Sequence, residues 1–359
     1  MQTAGRREKI QSIQLLRFLA AFIVAYSHIA FGFAFHLGQQ RGLPFEPPAL
    51  ALSRVALFFL VSGAVMVVAS GRFFEAPGGW HRFLLRRLIR ILPAYWMASL
   101  LFAGWKLFKG QDFSLAHLGY SLALIPFGGD TRGGFPQPFL WPAWTLFYEV
   151  LFYVAFAAAL FRPRHQAVLV CSALLVMLAG AGLIADFDDP VLFMATRPVL
   201  LLFIAGMVLG LAQIKQIELA PAIRWLALAG ALGLLVFAPD LSTGRGAAPL
   251  GFMATIGIGI PALLVAVAVM AGPLPLPAPR LINHLGNISY SVFLLHVPIA
   301  SFWIWFYQKA VPDPGPWLFL ASCLSLTLIA SHFSYRHFER PVTDWLNARL
   351  LRPAPKLAS

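Results

Sequence analysis

SIQLLRFLAAFIVAYSHIAFGFAFH, residues 12–36, decides the fold. At 1.5 Å per residue this stretch makes a helix of about 37 Å, and the hydrocarbon core of a bilayer is about 30 Å thick. Outward from it, comparable apolar stretches recur at 50–70, 91–109, 141–161, 166–185, 191–213, 222–239, 250–271, 285–308 and 316–338. The pattern predicts an all-α polytopic membrane helix bundle of about ten transmembrane helices. Residues 112–127 are apolar enough to form a re-entrant or interfacial segment besides. Arg6, Arg7 and Lys9 precede the first stretch as they would a signal peptide. The run is long, however, carries Arg17 and His28, and lacks a small-x-small cleavage site, so it is expected to remain as the first helix.

The composition of the 359 residues agrees: 59% are hydrophobic and 11% charged, with a mean hydropathy of +0.76. A soluble domain carries about a quarter charged residues. This chain cannot cover itself with polar surface, which excludes a soluble enzyme. The formal net charge of +13 raises nucleic-acid binding, but the alternative source is topogenic Lys and Arg in cytoplasmic loops. With ten spans both termini share a side. If that side is the cytoplasm, about 18 of the 27 Lys and Arg residues fall there. The opposite loops hold Arg41, Lys109, Arg132, Arg245 and Lys309, together with Asp112, Asp130, Asp186, Asp188, Asp189, Asp240 and Asp313; Arg17, Arg54, Lys106 and Arg197 fall within spans. Topology accounts for the charge, and no nucleic-acid partner is expected. The chain reads as one membrane domain, 1–345, and a basic, disordered cytoplasmic tail, 346–359. Cys171 and Cys323 lie in apolar stretches with no metal-ligand spacing, so neither a metal nor a disulfide is expected. No internal repeat marks a transporter.

Ionisable groups within spans are costly, about 2.5–3.5 kcal/mol each at a helix centre, and become functional candidates. Arg17 and His28 share the first helix. Eleven residues turn the helix by about 1100°, close to three full turns, so both side chains face one way, about 16 Å apart along the axis. Glu149 is the acid well inside a span, in WTLFYEVLFY (144–153), with Thr145 and Tyr153 one turn away on the same face. His296 closes GNISYSVFLLHVP (286–298), and Ser289 lies about 20° off its face. Ser62 in LFFLVSG (57–63) reads first as a close-packing residue. In HRFLLRRLIRILPAYW (81–96), Arg82, Arg86, Arg87 and Arg90 recur at helical spacing. That run suits an interfacial helix on anionic lipid or a phosphate site at a cytoplasmic mouth.

Taken in order, these segments resemble the acyltransferase 3 family of bacterial membrane acyltransferases. The resemblance rests on Arg17-x10-His28, LFFLVSG, RRLIRILPAYW with Arg87-x-x-Arg90, WTLFYEVLFY, LGNISYSVFLLH ending at His296, and FERP at 338–341. It implies a stand-alone member, multi-pass in a bacterial inner membrane, that moves an acyl group, usually acetyl, from cytoplasmic acyl-CoA to a hydroxyl of a surface or lipid-linked glycan. Acyl-CoA enters as a substrate; no permanently bound cofactor is implied. His28 is the expected general base, Glu149 its orienting carboxylate, Arg17 lies by the donor's path, and Arg86, Arg87 and Arg90 hold its phosphates. Ser62, Trp144, Tyr153, Ser289, Tyr290 and His296 would line the cavity or the acceptor side. A transporter or flippase of a lipid-linked glycan or small molecule would share the helices and use His28 and Glu149 as a proton relay. A scaffold in a polysaccharide assembly would leave the intramembrane charges unexplained.

Overall fold

The computed structural model describes residues 2–37, 48–128, 131–132, 135–237, 251–274, 276–311 and 315–351, with backbone alone at 2–10, 48–54, 131–132 and 135. Arg41, Asp130, Asp240, Arg245, Asp313, Arg352 and Lys356 therefore lie outside the described residues, and Arg6, Arg7, Lys9, Arg54 and Arg132 are described by backbone only. In chain order the helices are α1 (Gln2–His36), α2 (Pro48–Ala69), α3 (Gly79–Phe108), α4 (Leu115–Leu122), α5 (Trp144–Ala159), α6 (Arg164–Ile184), α7 (Pro190–Ala195), α8 (Leu201–Ile214), α9 (Pro221–Phe237), α10 (Phe252–Met270), α11 (Pro279–Ala310), α12 (Pro316–Ser334) and α13 (Arg340–Leu350). Short 3-10 turns at Trp141–Ala143 and Pro198–Leu200 lead into α5 and α8, and a π-helical turn at Tyr335–Glu339 joins α12 to α13.

Eight helical stretches among the described residues are long and apolar enough to cross a membrane, and two shorter apolar helices, Val55–Ala69 and Pro221–Phe237, accompany them. Together they correspond to the ten stretches read from the sequence. The open question at 112–127 resolves into α4, eight residues long, or about 12 Å, which is too short to span. It is tied back to α3 by Tyr95 Oη, which donates to the Ser121 carbonyl at 2.8 Å, and by Trp96 Nε1 to the Leu122 carbonyl at 2.9 Å. A two-residue antiparallel pair, Thr131–Arg132 with Phe135–Pro136, follows it in the loop.

The core is one large cluster contributed mainly by α1, α2, α3, α5, α6, α8, α10 and α11, with a smaller one where α1, α11 and α12 meet. Backbones approach closely where small residues face each other. A Cβ on Gly206 would stand 2.1 Å from the Leu60 carbonyl oxygen, and one on Gly63 2.3 Å from that of Phe203. Small residues let transmembrane helices pack at such range, and here they lock α2 to α8. Contacts from Gln14 to Asn287, His28 to His296 and His36 to Gln308 show α1 and α11 running side by side in the same direction. At one end of the bundle the Glu75 N–H donates to the Leu160 carbonyl, and Arg224 donates to the carbonyls of Ala268 and Pro273. These contacts join the basic turn before α3 to the one after α5, and the start of α9 to the turn after α10, and they mark the basic end of the bundle.

The boundary at 345 needs correction. Helix α13 runs on to Leu350, so 346–350 form its last turns rather than a disordered tail, and 352–359 lie outside the described residues. Two i,i+4 contacts support it: Arg340 with Asp344 at 3.7 Å, and the Arg349 guanidinium 5.4 Å from the Trp345 ring centre.

Candidate active site

Two polar clusters occupy the interior. The first lies toward the basic end and encloses a cavity of about 100 Å³. Helix α1 brings Arg17 to it, α3 Arg87 and Arg90, α2 Ser62, α5 Glu149 and Tyr153, and α11 Ser289 and Tyr290. Arg87 and Arg90, three residues apart, lie about 60° from each other around the helix and share a face. Arg86 is turned about 100° from Arg87 and does not line the cavity; its electrostatic neighbour is Arg72. The expected trio is therefore a pair, completed by Arg17. The Arg87 guanidinium rests over the rings of Phe83 and Tyr153, 5.4 and 5.9 Å from their centres. Arg17 Nη1 donates to Gln14 Oε1 at 2.9 Å, and Gln14 Nε2 donates to Asn287 Oδ1 at 2.9 Å, which fixes Arg17 against α11.

Glu149 is 5% exposed. Its Oε1 accepts from Ser62 Oγ at 2.5 Å and from Tyr153 Oη. Its Oε2 is buried without a hydrogen-bond partner among the described residues, although Arg87 and Arg17 bear on the carboxylate electrostatically. Its neighbour Gly63 meets the α8 backbone closely, and the Ser62 hydroxyl serves Glu149. A second buried carboxylate, Glu339 of FERP, accepts from Ser291 Oγ at 2.6 Å and lies within the fields of Arg90 and Arg17. Two acids thus offset two of the three arginine charges, and one positive charge is left in a region where an unpaired charge is strongly unfavourable.

The second cluster lies further along α1. His28 Nδ1 is 2.8 Å from His296 Nε2, and the rings are nearly parallel at 24°. His296 is fully buried, and its Nδ1 is 3.2 Å from the Val292 carbonyl oxygen. A carbonyl can only accept, so His296 Nδ1 carries a proton and its Nε2 accepts. His28 Nδ1 is then the donor, and the lone pair of His28 sits on Nε2. This hydrogen-bond chain assigns the tautomer of each ring in the neutral pair. Trp141, in the 3-10 turn before α5, covers the His28 ring at 4.0 Å.

Several expectations are redrawn by this arrangement. Glu149 is bonded by Ser62 and Tyr153, while the ring facing His28 is that of His296. Ser289 lines the arginine cavity and donates to the Gly286 carbonyl at 2.8 Å, whereas His296, on the same helix, lies beyond that cavity with His28. Tyr290 Oη donates to the Ile91 carbonyl at 2.9 Å, tying α11 to α3. Trp144 packs edge-on to Tyr148 and Phe59 and lines a separate cavity of about 20 Å³. Trp141 and Glu339 escaped the sequence reading. A Trp-Pro pair at the head of a span and a lone acid in FERP were the signals available. No group of three or more His, Cys, Asp or Glu that could hold a metal occurs among the described residues.

Residues 10–336 match the family described as an acyltransferase domain, Acyl_transf_3. The chain is 34% identical over 323 residues to the exopolysaccharide production protein ExoZ of Rhizobium meliloti (strain 1021), an alignment that spans 86% of this chain and 93% of that protein. No solved structure matches it. The family match favours an enzyme over a transporter.

Proposed function

The chain belongs to the acyltransferase 3 family, and on that premise we propose that it carries an acyl group, acetyl in the first instance, from cytoplasmic acyl-CoA to a hydroxyl of an exopolysaccharide or its lipid-linked precursor. It does so in the cytoplasmic membrane of a bacterium. The similarity to ExoZ, an exopolysaccharide production protein, supports a polysaccharide acceptor. The observation that carries the reading is the alignment of two unlike clusters along α1. Arg17, Arg87 and Arg90 ring a cavity at the basic end, and the His28–His296 pair lies about 16 Å further on.

The phosphates of a CoA thioester suit the three guanidiniums, with Arg86 outside the cavity. The slender arm of the donor passes Glu149 and brings the thioester carbonyl toward His28. His28 Nε2 takes the proton of the acceptor hydroxyl as its oxygen attacks that carbonyl. The C–S bond then breaks, and the departing sulfur is protonated as the CoA thiol. His296 holds the lone pair on the reacting nitrogen, and Trp141 limits the ring's rotation. The transfer is direct in this reading, since Cys171 and Cys323 are both buried in helix packing.

The test is transfer of labelled acyl groups from acyl-CoA to purified glycan by the protein in nanodiscs. His28→Ala should lose about 10²–10⁴-fold in rate, the span of a general base, and still bind CoA. Activity retained in that variant removes the base. A stoichiometric acyl-protein after rapid quench with donor alone would replace direct transfer by a covalent route.

A further inference from the structure

A groove of about 380 Å³ opens on the side of the bundle between α3, α11 and α12. Leu101 and Trp105 form one wall, Ala330 stands opposite, and Pro298, Ile299 and Phe302 make the floor. The lining is almost wholly apolar, and Leu101 and Phe302 are exposed along it. At the end away from the arginine cavity, Trp105 and Phe302 meet the Trp305 ring at 5.5 and 6.0 Å. Lys109 and Lys309 both stand over that ring, 5.7 and 4.7 Å from its centre. Lys106, next to Trp105, lies 5.2 Å from the centre of the Phe139 ring. Among the described residues no acidic side chain pairs with any of the three lysines.

This concentration runs against the charge pattern of the chain. On the orientation set by the basic residues, the outer face is poor in cations. Lysines and aromatic rings that merely marked the membrane boundary would be spread around the circumference. Here, among the described residues, Lys109 just after α3 and Lys309 at the end of α11 meet on the Trp305 ring beside the apolar groove, and Lys106 lies one turn back on α3 over Phe139. From it a line of contacts leads to the reacting histidine. Lys106 stands over Phe139, Leu140 and Trp141 follow in the chain, and Trp141 covers His28 at 4.0 Å.

We propose that the groove holds the hydrocarbon tail of a polyprenyl diphosphate-linked acceptor, with the diphosphate on Lys106, Lys109 and Lys309 and the sugar extending over Phe139 and Trp141 to His28. The proposal rests on the glycan-acylating reading above and names how its acceptor is presented. The diphosphate of such an acceptor, esterified at both ends, carries two negative charges for the lysines to meet, whereas the phosphodiester of a common phospholipid carries one. Tethering also replaces an encounter in free solution with one confined to the vicinity of His28.

The test uses the full chain in phosphatidylcholine nanodiscs, with polyprenyl diphosphate as the probe and binding read by native mass spectrometry. The wild type should bind it, and tenfold excess phosphatidylglycerol should not displace it. The variant with Lys106→Gln, Lys109→Gln and Lys309→Gln should bind at least tenfold more weakly. Ala330→Trp, which fills the groove and leaves the lysines in place, should weaken binding to a similar extent. Wild-type affinity in the triple variant, or displacement by phosphatidylglycerol, overturns the proposal. Acyl transfer from acyl-CoA is followed in parallel. Lipid binding that responds to the variants without any acyl transfer upholds the lipid site and sinks the reading of function. Transfer with lipid binding that ignores the variants does the reverse.

Discussion

Replacing His296 by phenylalanine keeps an aromatic ring of similar size at a fully buried position and removes the nitrogen that faces His28 Nδ1 at 2.8 Å. In the wild type that nitrogen accepts, because the other ring nitrogen of His296 donates to the Val292 carbonyl. The variant leaves the His28 Nδ1 proton without its acceptor, at an expense of about 1–3 kcal/mol for a buried donor. The ring can escape by turning or by moving its proton to Nε2, and either change removes the lone pair from the reacting side. At about 1.4 kcal/mol per decade the loss corresponds to about 5- to 150-fold in turnover. That is smaller than the whole contribution of a general base, so His296→Phe should be milder than His28→Ala. His296→Gln offers an amide oxygen in place of the lost nitrogen and should recover part of the rate. KM for the donor should hold in both variants, because the arginine cavity lies about 16 Å away along α1. The assay is thiol release from acyl-CoA in the presence of glycan acceptor, with purified protein in nanodiscs. Wild-type turnover in His296→Phe would refute the orienting role.

Arg87→Ala combined with Arg90→Ala should raise donor KM at least tenfold and flatten its dependence on salt, since two of the three cavity cations are gone. Unchanged donor binding would move the mouth elsewhere, and Arg86→Ala, outside the cavity, should have little effect in the same titration. Glu149→Gln removes a negative charge from among the arginines while keeping a similar shape. Turnover should fall with no rise in donor KM, and a raised KM with intact turnover would make Glu149 a donor-binding group instead. Gly206→Val should lower folded yield sharply, because its Cβ would stand 2.1 Å from the Leu60 carbonyl oxygen; thermal unfolding in detergent reads the effect, and an unshifted midpoint would contradict the close α2–α8 contact.

The spans were legible because lipid imposes a length and a composition that single stretches reveal by themselves. The shared facing of Arg17 and His28 was read from helical rotation alone. The same rotation should have separated Arg86, but a run of arginines in sequence invites grouping before geometry divides it. What could not be read was pairing across the fold. His28 and His296 are 268 positions apart, and no local pattern says which helix will lie beside which. Assigning Glu149 to His28 paired the two most conspicuous intramembrane groups without knowing that Ser62 and Tyr153 would already occupy the carboxylate. Trp141 went unnoticed because it reads as the first residue of a span, whereas the 3-10 turn lays it across the histidine. Glu339 hid in a four-residue motif with no visible partner until Ser291 supplied one.

The π-helical turn at Tyr335–Glu339 governs where this protein tolerates being cut or joined to something else. A widened turn accommodates an extra residue within a continuous helix, and here it ends on the carboxylate held by Ser291 near Arg90 and Arg17. A chain stopped after Ser334 would retain every membrane crossing and yet open the arginine mouth from below. A reporter or affinity tag therefore belongs beyond Leu350, and insertion would be a poor gauge of whether a shortened version is intact.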